Sequence, residues 1–379
     1  MIKQASHIAL GSIIVQGATI LMYIFLARLL DEIQFATLRQ IFLLQSILIA
    51  IFVSALPTAM MYFWGRCEES IKKQIIVNQF IIIISCVALS LCLVLFFLST
   101  EIAYLFNNYT MAPLLRVYSI ATLGFVASVI LPSFLLCMDR LSLNVFFATG
   151  IAFLNSVPPV YLAFYNASFE SIISIISFTQ LSVGIGLFFY MWRVSYHPSF
   201  KYSFKRQCSA ILKYMWPLML ATTLSIVGLK VDHIIVSGLL GLTLYAIYSV
   251  GAFELPLFSI IQNAMTTAIM PSITAKLKSG QINEAMGLWK QANRNVASVT
   301  FPIAIIFIHY AELIISLLFS DKYIDAAPIF AVFTILVFLR VMQFGLILKA
   351  IGETKQELLA NCIYIVISAS GAYIMTMHF

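Results

Sequence analysis

Five basic side chains of this chain lie within long apolar runs or at the ends of such runs, where a charge is costly unless it has a partner or a function. Lys230 and Arg340 fall near the middle of their runs, and Arg28, Arg39 and Arg116 fall near the ends. Guanidinium and ammonium groups form charge-assisted hydrogen bonds with phosphate oxygens. These five cations are therefore candidate contacts for an anionic substrate.

Three further ionisable groups lie in the same runs, namely Asp232, His233 and Glu254. They are candidates for proton or ion coupling, or for structural ion pairs. Lys230 is two positions from Asp232, so the two side chains do not face each other on a helix. On a helical wheel Lys230 instead shares a polar stripe with Thr222 and His233, which is typical of a helix that lines a wet cavity.

Structural roles remain open for the cations as well. Lys230 and Arg340 can line a cavity or form salt bridges between helices, and Arg28 can extend to the membrane interface. The first apolar run carries a separate polar stripe: Ser12, Gln16, Thr19 and Tyr23. Arg28 points away from that stripe, and Glu254 lies opposite the polar stripe of its own helix.

The elements that carry these residues are predicted to be membrane-spanning helices. Of 379 residues, 62% are hydrophobic and 10% are charged, and the mean hydropathy is +1.00. A soluble domain carries about 25% charged residues. The apolar runs are long enough to cross the hydrocarbon core of a bilayer. Inside that core the backbone must make its hydrogen bonds within each segment, which predicts helices. Eleven spans are predicted, at 7–29, 36–63, 75–98, 113–137, 142–165, 170–192, 214–239, 243–275, 296–318, 326–349 and 357–377.

The distribution of Lys and Arg predicts that the N-terminus is cytoplasmic, because cytoplasmic segments are enriched in these residues. With that orientation, 16 of the 22 basic residues fall on the inside. The most basic stretch, 195–213 together with Arg193, follows span six. It is predicted to lie on anionic headgroups, and no nucleic-acid-binding fold accompanies it.

The chain also resembles itself at an offset of about 210 residues. Leu29-Leu30-Asp31 corresponds to Leu239-Leu240-Gly241, the segment 54–61 corresponds to 263–270, and Ala112-Pro113 corresponds to Ala327-Pro328. Transporters are commonly built from two such halves. The repeat predicts a parallel pair of lobes, 1–194 and 214–379, joined by the basic linker 195–213. Since span six has no partner in the second lobe, a twelfth helix is expected after Phe379.

Short motifs carry a resemblance to a known family. They are Ala27-Arg28-Leu29-Leu30, Val231 to Val236 with Leu239-Leu240-Gly241, and Leu318-Phe319 with Asp321, Asp325 and Ala326-Ala327-Pro328. These resemble the polysaccharide (O-antigen type) flippases of the multidrug/oligosaccharidyl-lipid/polysaccharide exporter superfamily. Asp31 departs from that pattern, which usually has glycine there. Glu254-Leu255-Pro256 with Met270-Pro271-Ser272 is similar to lipid II flippases.

The resemblance implies an all-α polytopic protein of the bacterial inner membrane, with two helical lobes around a central cavity. It implies flipping of an undecaprenyl-pyrophosphate-linked oligosaccharide from the cytoplasmic to the periplasmic leaflet by alternating access. Membrane lipid, a polysaccharide polymerase and assembly proteins are the implied partners. Five cations against two carboxylates suit a pyrophosphate, and no cofactor is expected.

Two other functions are weighed against this one. A cation-coupled multidrug exporter of the same superfamily is the first alternative, and the excess of cations argues against it. A membrane glycosyltransferase is the second, since Asp31-Glu32 lies in an outer loop, but every predicted outer loop is short. The five histidines form no metal-binding pair, and the six cysteines form neither a disulfide framework nor metal-ligand spacing.

Overall fold

The structure is a computed structural model that describes residues 2–67, 70–195, 204–253, 256–342, 345–351 and 354–378. The described residues form eighteen α-helices and two short 3-10 turns. The helices are α1 (Ile2–Leu29), α2 (Glu32–Phe52), α3 (Leu56–Gly65), α4 (Ser70–Phe97), α5 (Ser99–Leu105), α6 (Met111–Tyr118), α7 (Ala121–Cys137), α8 (Asn144–Phe164), α9 (Phe169–Ser195), α10 (Phe204–Gly228), α11 (Val231–Leu239), α12 (Leu242–Gly251), α13 (Pro256–Lys278), α14 (Ile282–His309), α15 (Ala311–Phe319), α16 (Ala327–Arg340), α17 (Gly345–Ile351) and α18 (Thr354–His378).

The predicted all-helical membrane fold is confirmed for the described residues. Seven helices are long and apolar enough to cross a membrane, and nine spans result if each of two bent pairs counts as one. The pairs are α6 with α7, bent by 53°, and α14 with α15, bent by 82°. Every predicted span coincides with one or two helices, but the number eleven stays a prediction, because breaks shorten several of them.

Contacts between residues divide the chain into two compact units, Met1–Leu242 and Thr243–Phe379. The boundary differs from the sequence-based one because α10 packs against α2 and α3, and α11 packs against α2. At one end of this packing the Tyr62 and Tyr214 rings stack with centroids 4.2 Å apart. The lobes inferred from the repeat stay a prediction.

Within the first unit, α1 packs along α8, and α7 packs along α9. The crossing of α7 and α9 is very close at Gly124 and Gly184. A Cβ atom on Gly184 would lie 2.8 Å from the backbone nitrogen of Gly124. Small residues allow membrane helices to approach in this way, and the approach holds Gln180 against Gly124.

The second predicted span is broken between α2 and α3. Because the Ser54 amide bonds to the Ile49 carbonyl, the Ala50 carbonyl loses its helical donor. Two hydroxyl groups replace that donor, Ser54 Oγ at 2.6 Å and Thr223 Oγ1 of α10 at 3.3 Å. Backbone groups freed within a membrane need such partners, so the break also fixes α10 against α2.

The seventh predicted span is also broken, which corrects the continuous helix expected over 214–239. The chain turns at Leu229 and Lys230, and α11 starts at Val231. Gly228 precedes the turn, and glycine has a poor helix propensity. The helical wheel that placed Lys230 on one stripe with Thr222 therefore does not apply across this turn.

Two turns related by the repeat have matching positions in the chain. Helix α1 ends at Leu29 and α2 begins at Glu32, while α11 ends at Leu239 and α12 begins at Leu242. Their local chemistry differs. Asp31 caps α2 by accepting a hydrogen bond from the Gln34 amide at 2.7 Å, whereas Gly241 adopts a φ of +79°, which a side chain disfavours.

In the second unit, α13 packs against α14 and α17, and α14 packs against α16. Helix α16 ends at Arg340, so this residue lies at a helix end and is exposed, not at the middle of a continuous span. The Asn293 Nδ2 atom of α14 donates a hydrogen bond of 3.2 Å to the Met342 carbonyl. This hydrogen bond joins α14 to the turn that follows α16.

Candidate functional site

A buried amide network joins α2 to α11. Gln40 Nε2 donates to Ser237 Oγ at 3.0 Å and to the Phe106 carbonyl at 3.3 Å. Asn108 Nδ2 donates to Gln40 Oε1 at 2.7 Å and to Thr37 Oγ1 at 3.0 Å. Asn108 is 3% exposed. Because buried hydrogen-bonded networks of this kind are costly to break, the network fixes α11 on α2.

This packing brings together three residues that the sequence singled out, Arg39, Lys230 and His233. His233 is 6% exposed and interacts electrostatically with both cations. Arg39 comes from α2, His233 from α11, and Lys230 precedes the first residue of α11. We call these three residues the cationic cluster.

Arg39 also contacts the ring of Tyr23 from α1. Its guanidinium carbon lies 4.8 Å from the ring centroid, within the range of a cation–π contact. The Arg39 Nε atom is buried and has no hydrogen-bond partner within the described part of the chain. A buried donor without an acceptor is unfavourable, so an acceptor from a ligand would improve this site.

A cavity of about 510 Å³ lies within the first unit, and the Tyr23 side chain forms part of its wall. Helices α1, α2, α7, α8 and α9 line it. The polar stripe predicted on α1, from Ser12 to Tyr23, contributes all four of its residues to the wall. Tyr23 packs edge to face on Phe42, with centroids 5.5 Å apart, and both residues line the cavity.

Five side-chain amides line this cavity, namely Gln16, Gln45, Asn144, Asn155 and Gln180. Gln180 Oε1 and Asn155 Oδ1 are buried, and neither accepts a hydrogen bond from any described residue. Gln45 Oε1 accepts one from the Tyr118 hydroxyl.

Three further predicted site residues belong to the first unit, and one of them, Asp232, directly precedes His233 of the cationic cluster. Arg28 is exposed in the last turn of α1. Arg116 is exposed on α6, and it donates hydrogen bonds to Ser99 Oγ at 3.0 Å and Thr100 Oγ1 at 3.2 Å. Asp232 is in the first turn of α11, where the helix dipole stabilises a negative charge. This position favours a structural role for Asp232.

Arg340 belongs to the second unit. It lines a small cavity of about 50 Å³ together with Gln262 of α13 and Thr334 of α16. Glu254, the predicted coupling residue, lies outside the described residues.

Sequence analysis did not single out the amides, although they lie within apolar runs just as the charged residues do. Gln40, Asn155 and Gln180 are neutral, so the rule that a charge is costly in lipid does not identify them. A neutral amide buried in an apolar helix also needs hydrogen-bond partners. That rule is the signal that identifies such residues.

Among the solved structures that the chain resembles is one titled "Crystal structure of MATE in the straight conformation", with a TM-score of 0.62. That match has 12% sequence identity and covers 100% of this chain and 88% of that one. The model of the family described as "Polysaccharide biosynthesis protein" matches residues 25–328, and the chain belongs to this family. No curated protein matches the chain. Family and fold together define a transporter of the multidrug/oligosaccharidyl-lipid/polysaccharide exporter superfamily.

Proposed function

We propose that this transporter flips an undecaprenyl-pyrophosphate-linked oligosaccharide from the cytoplasmic to the periplasmic leaflet. The observation that carries the proposal is the cationic cluster, in which Arg39 and Lys230 both lie close enough to the buried His233 to repel a positive charge on it. A pyrophosphate carries the opposite charge and offers many acceptor oxygens. Membership of a polysaccharide biosynthesis family supports a saccharide-bearing substrate.

The break in the seventh span strengthens the site for an anion. Lys230 is the N-cap residue of α11. The first amide groups of a helix carry partial positive charge and attract anions. A phosphate beside Lys230 would therefore meet an ammonium group and a helix N-terminus together.

The five predicted cations then take different roles. Arg39 and Lys230 are proposed to bind the pyrophosphate. Arg340, which lines a separate small cavity, is proposed as a further contact at another stage of transport. Arg28 and Arg116 are exposed near helix ends, where long basic side chains reach headgroups, and they are proposed as weaker contacts along the substrate path.

The protein is proposed to reside in the bacterial inner membrane with its N-terminus in the cytoplasm. The basic stretch 195–213, of which residues 196–203 lie outside the described part of the chain, would then face anionic headgroups of the cytoplasmic leaflet. The flipped oligosaccharide would pass to a polysaccharide polymerase and its assembly proteins on the periplasmic side.

The experiment that tests this proposal is extraction of lipids from cells depleted of the protein. Undecaprenyl-pyrophosphate oligosaccharide is expected to accumulate unpolymerised in the cytoplasmic leaflet, and re-expression of the wild-type chain should clear it. Depletion that leaves lipid-linked sugars unchanged but raises drug susceptibility would overturn the proposal in favour of a cation-coupled multidrug exporter. Turnover of a sugar nucleotide by the purified protein would instead indicate a membrane glycosyltransferase.

A further inference from the structure

We infer that the cavity of the first unit is a separate binding site for uncharged sugar residues of the substrate. This inference rests on the proposed function and adds a glycan site to the phosphate site. Its first support is charge. The 23 residues that line the cavity, all of them described, include no Asp, Glu, Lys, Arg or His.

A neutral lining selects against two other occupants. A cation would need carboxylate partners, and a phosphate would need basic ones, because an unpaired charge is costly in a site of low dielectric constant. Arg39 contacts the Tyr23 ring but is not part of the cavity lining. The cavity thus suits a ligand that carries no charge.

The hydroxyl and amide groups of the lining favour a sugar over a hydrocarbon chain. Eleven of the 23 lining residues carry such a group. Several of these hydroxyls donate to a carbonyl of their own helix, among them Thr19, Ser46 and Ser128. Each hydroxyl oxygen can still accept a hydrogen bond, which a sugar hydroxyl can donate and a hydrocarbon chain cannot.

Sugar hydroxyls match this lining because each can donate and accept a hydrogen bond. Side-chain amides offer two donors and an acceptor, and five of them line the cavity. The rings of Tyr23, Phe42 and Phe125 add apolar walls for the C–H faces of a sugar ring. The volume of about 510 Å³ lies within the range of roughly 300–1,000 Å³ for small-molecule sites, which gives room for a short saccharide.

Tyr23 connects the two sites. Its side chain lines the cavity and also contacts Arg39. In the substrate the first sugar is bonded directly to the pyrophosphate. A glycan in the cavity and a pyrophosphate at Arg39 would therefore occupy neighbouring sites in the same order as in the substrate.

The test is photo-crosslinking in cells fed with a radiolabelled monosaccharide. The full-length chain carries the photoreactive amino acid p-benzoylphenylalanine in place of Phe125, in the cavity wall, or of Phe178, which is 55% exposed on α9. After irradiation, sugar label is expected on the protein with the probe at 125, and at least tenfold less with the probe at 178. Equal labelling at both positions, or adducts of lipid chains alone at 125, would overturn the inference.

Two variants then test the polar groups. Asn155→Leu replaces an amide by an apolar group of similar size, and Ser128→Ala removes one hydroxyl from the wall. Loss of a hydrogen bond should lower glycan crosslinking at 125 about two- to tenfold in each. The matched control is Thr149→Val on α8. Both the Ser128 and the Thr149 hydroxyls bond to a carbonyl of their own helix, but Thr149 is exposed and is not part of the cavity wall. If Asn155→Leu fails to reach the membrane, Ser128→Ala decides.

The outcomes separate this inference from the proposed function. If depletion causes lipid-linked oligosaccharide to accumulate, but both variants export glycan normally and no sugar crosslinks at 125, the flippase proposal stands and the glycan site is wrong. If depletion leaves lipid-linked sugars unchanged, the flippase proposal itself fails.

Discussion

The guanidinium carbon of Arg39 lies 4.8 Å from the centroid of the Tyr23 ring, and this ring forms part of the wall of the cavity in the first unit. One aromatic side chain thus separates a cationic group from a neutral, amide-lined space. The two environments suit different parts of the proposed substrate. A phosphate would bind on the Arg39 side of the ring, and a sugar would bind on the cavity side. Variants on each side of Tyr23 should have separable effects.

Replacing Arg39 tests the cationic side. Arg39→Gln keeps a polar side chain but removes the charge, and a hydrogen bond to a charged group contributes about 1.5–3 kcal/mol. We expect flipping of lipid-linked oligosaccharide to fall about 10- to 100-fold, measured as export in a depleted strain at matched protein levels. Arg140→Gln is the control, since Arg140 is exposed in the connection after α7. Equal activity of the two variants would exclude Arg39 from the site.

Replacing Tyr23 tests the contact itself. Tyr23→Phe retains the ring but removes the hydroxyl that bonds to Arg39, so a smaller loss of activity than in Tyr23→Leu is expected. Tyr23→Leu removes the ring and with it a cation–π contact of about 0.5–2 kcal/mol, which predicts a loss of about two- to thirtyfold in the same export assay. Should both variants behave alike, ring contact with Arg39 would have no functional role.

How far the fold follows from sequence depends on the feature. Long apolar runs predict helices, because a backbone in lipid must make its hydrogen bonds within its own segment. The described residues form those helices. The breaks at Ala50 and Lys230 were not predicted. The first depends in part on a partner from a distant segment, Thr223, which donates to the Ala50 carbonyl. The second follows Gly228, which a reading of hydropathy alone does not weigh.

The candidate site was predicted only in part. The cost of a charge in lipid drew attention to Arg39 and Lys230, which the structure brings together around His233. The same reasoning put Arg340 in mid-span, although the helix ends there. The amides Gln40 and Gln180 were missed, because their importance comes from burial and from the neighbours that folding provides.

Close packing of α7 on α9 gives a prediction about stability. A Cβ atom on Gly184 would lie 2.8–3.0 Å from backbone atoms of Leu123 and Gly124, which cannot move as a side-chain end can. Gly184→Ala should therefore lower the free energy of unfolding by about 1–3 kcal/mol. Gly186→Ala, on the same helix, meets nothing within 4 Å and should be neutral or stabilising. The thermal midpoints of the purified proteins in detergent compare the two, and a similar midpoint for both would contradict the close approach.

Orientation can be tested by labelling introduced cysteines. Asn166→Cys places a thiol between α8 and α9, and Ser279→Cys places one between α13 and α14, both at exposed positions. An N-terminus in the cytoplasm predicts that a membrane-impermeant maleimide added outside reacts at 166 but reacts at 279 only after permeabilisation. The wild type, which retains its native cysteines, gives the background. The reverse pattern would invert the topology.

The amide network at Asn108 gives the last prediction. Asn108→Ala removes both donors of the side-chain amide, which leaves the buried Gln40 Oε1 and Thr37 Oγ1 without them. An unsatisfied buried polar group costs about 1–3 kcal/mol, so the thermal midpoint should fall. Because Gln40 in turn bonds to Ser237 of α11, export should fall as well, through displacement of Lys230 and His233 from Arg39. Ser182→Ala is the matched control, since its exposed hydroxyl bonds only within its own helix to Phe178. A lower midpoint with unchanged export would show that the network stabilises the fold without positioning the cationic cluster.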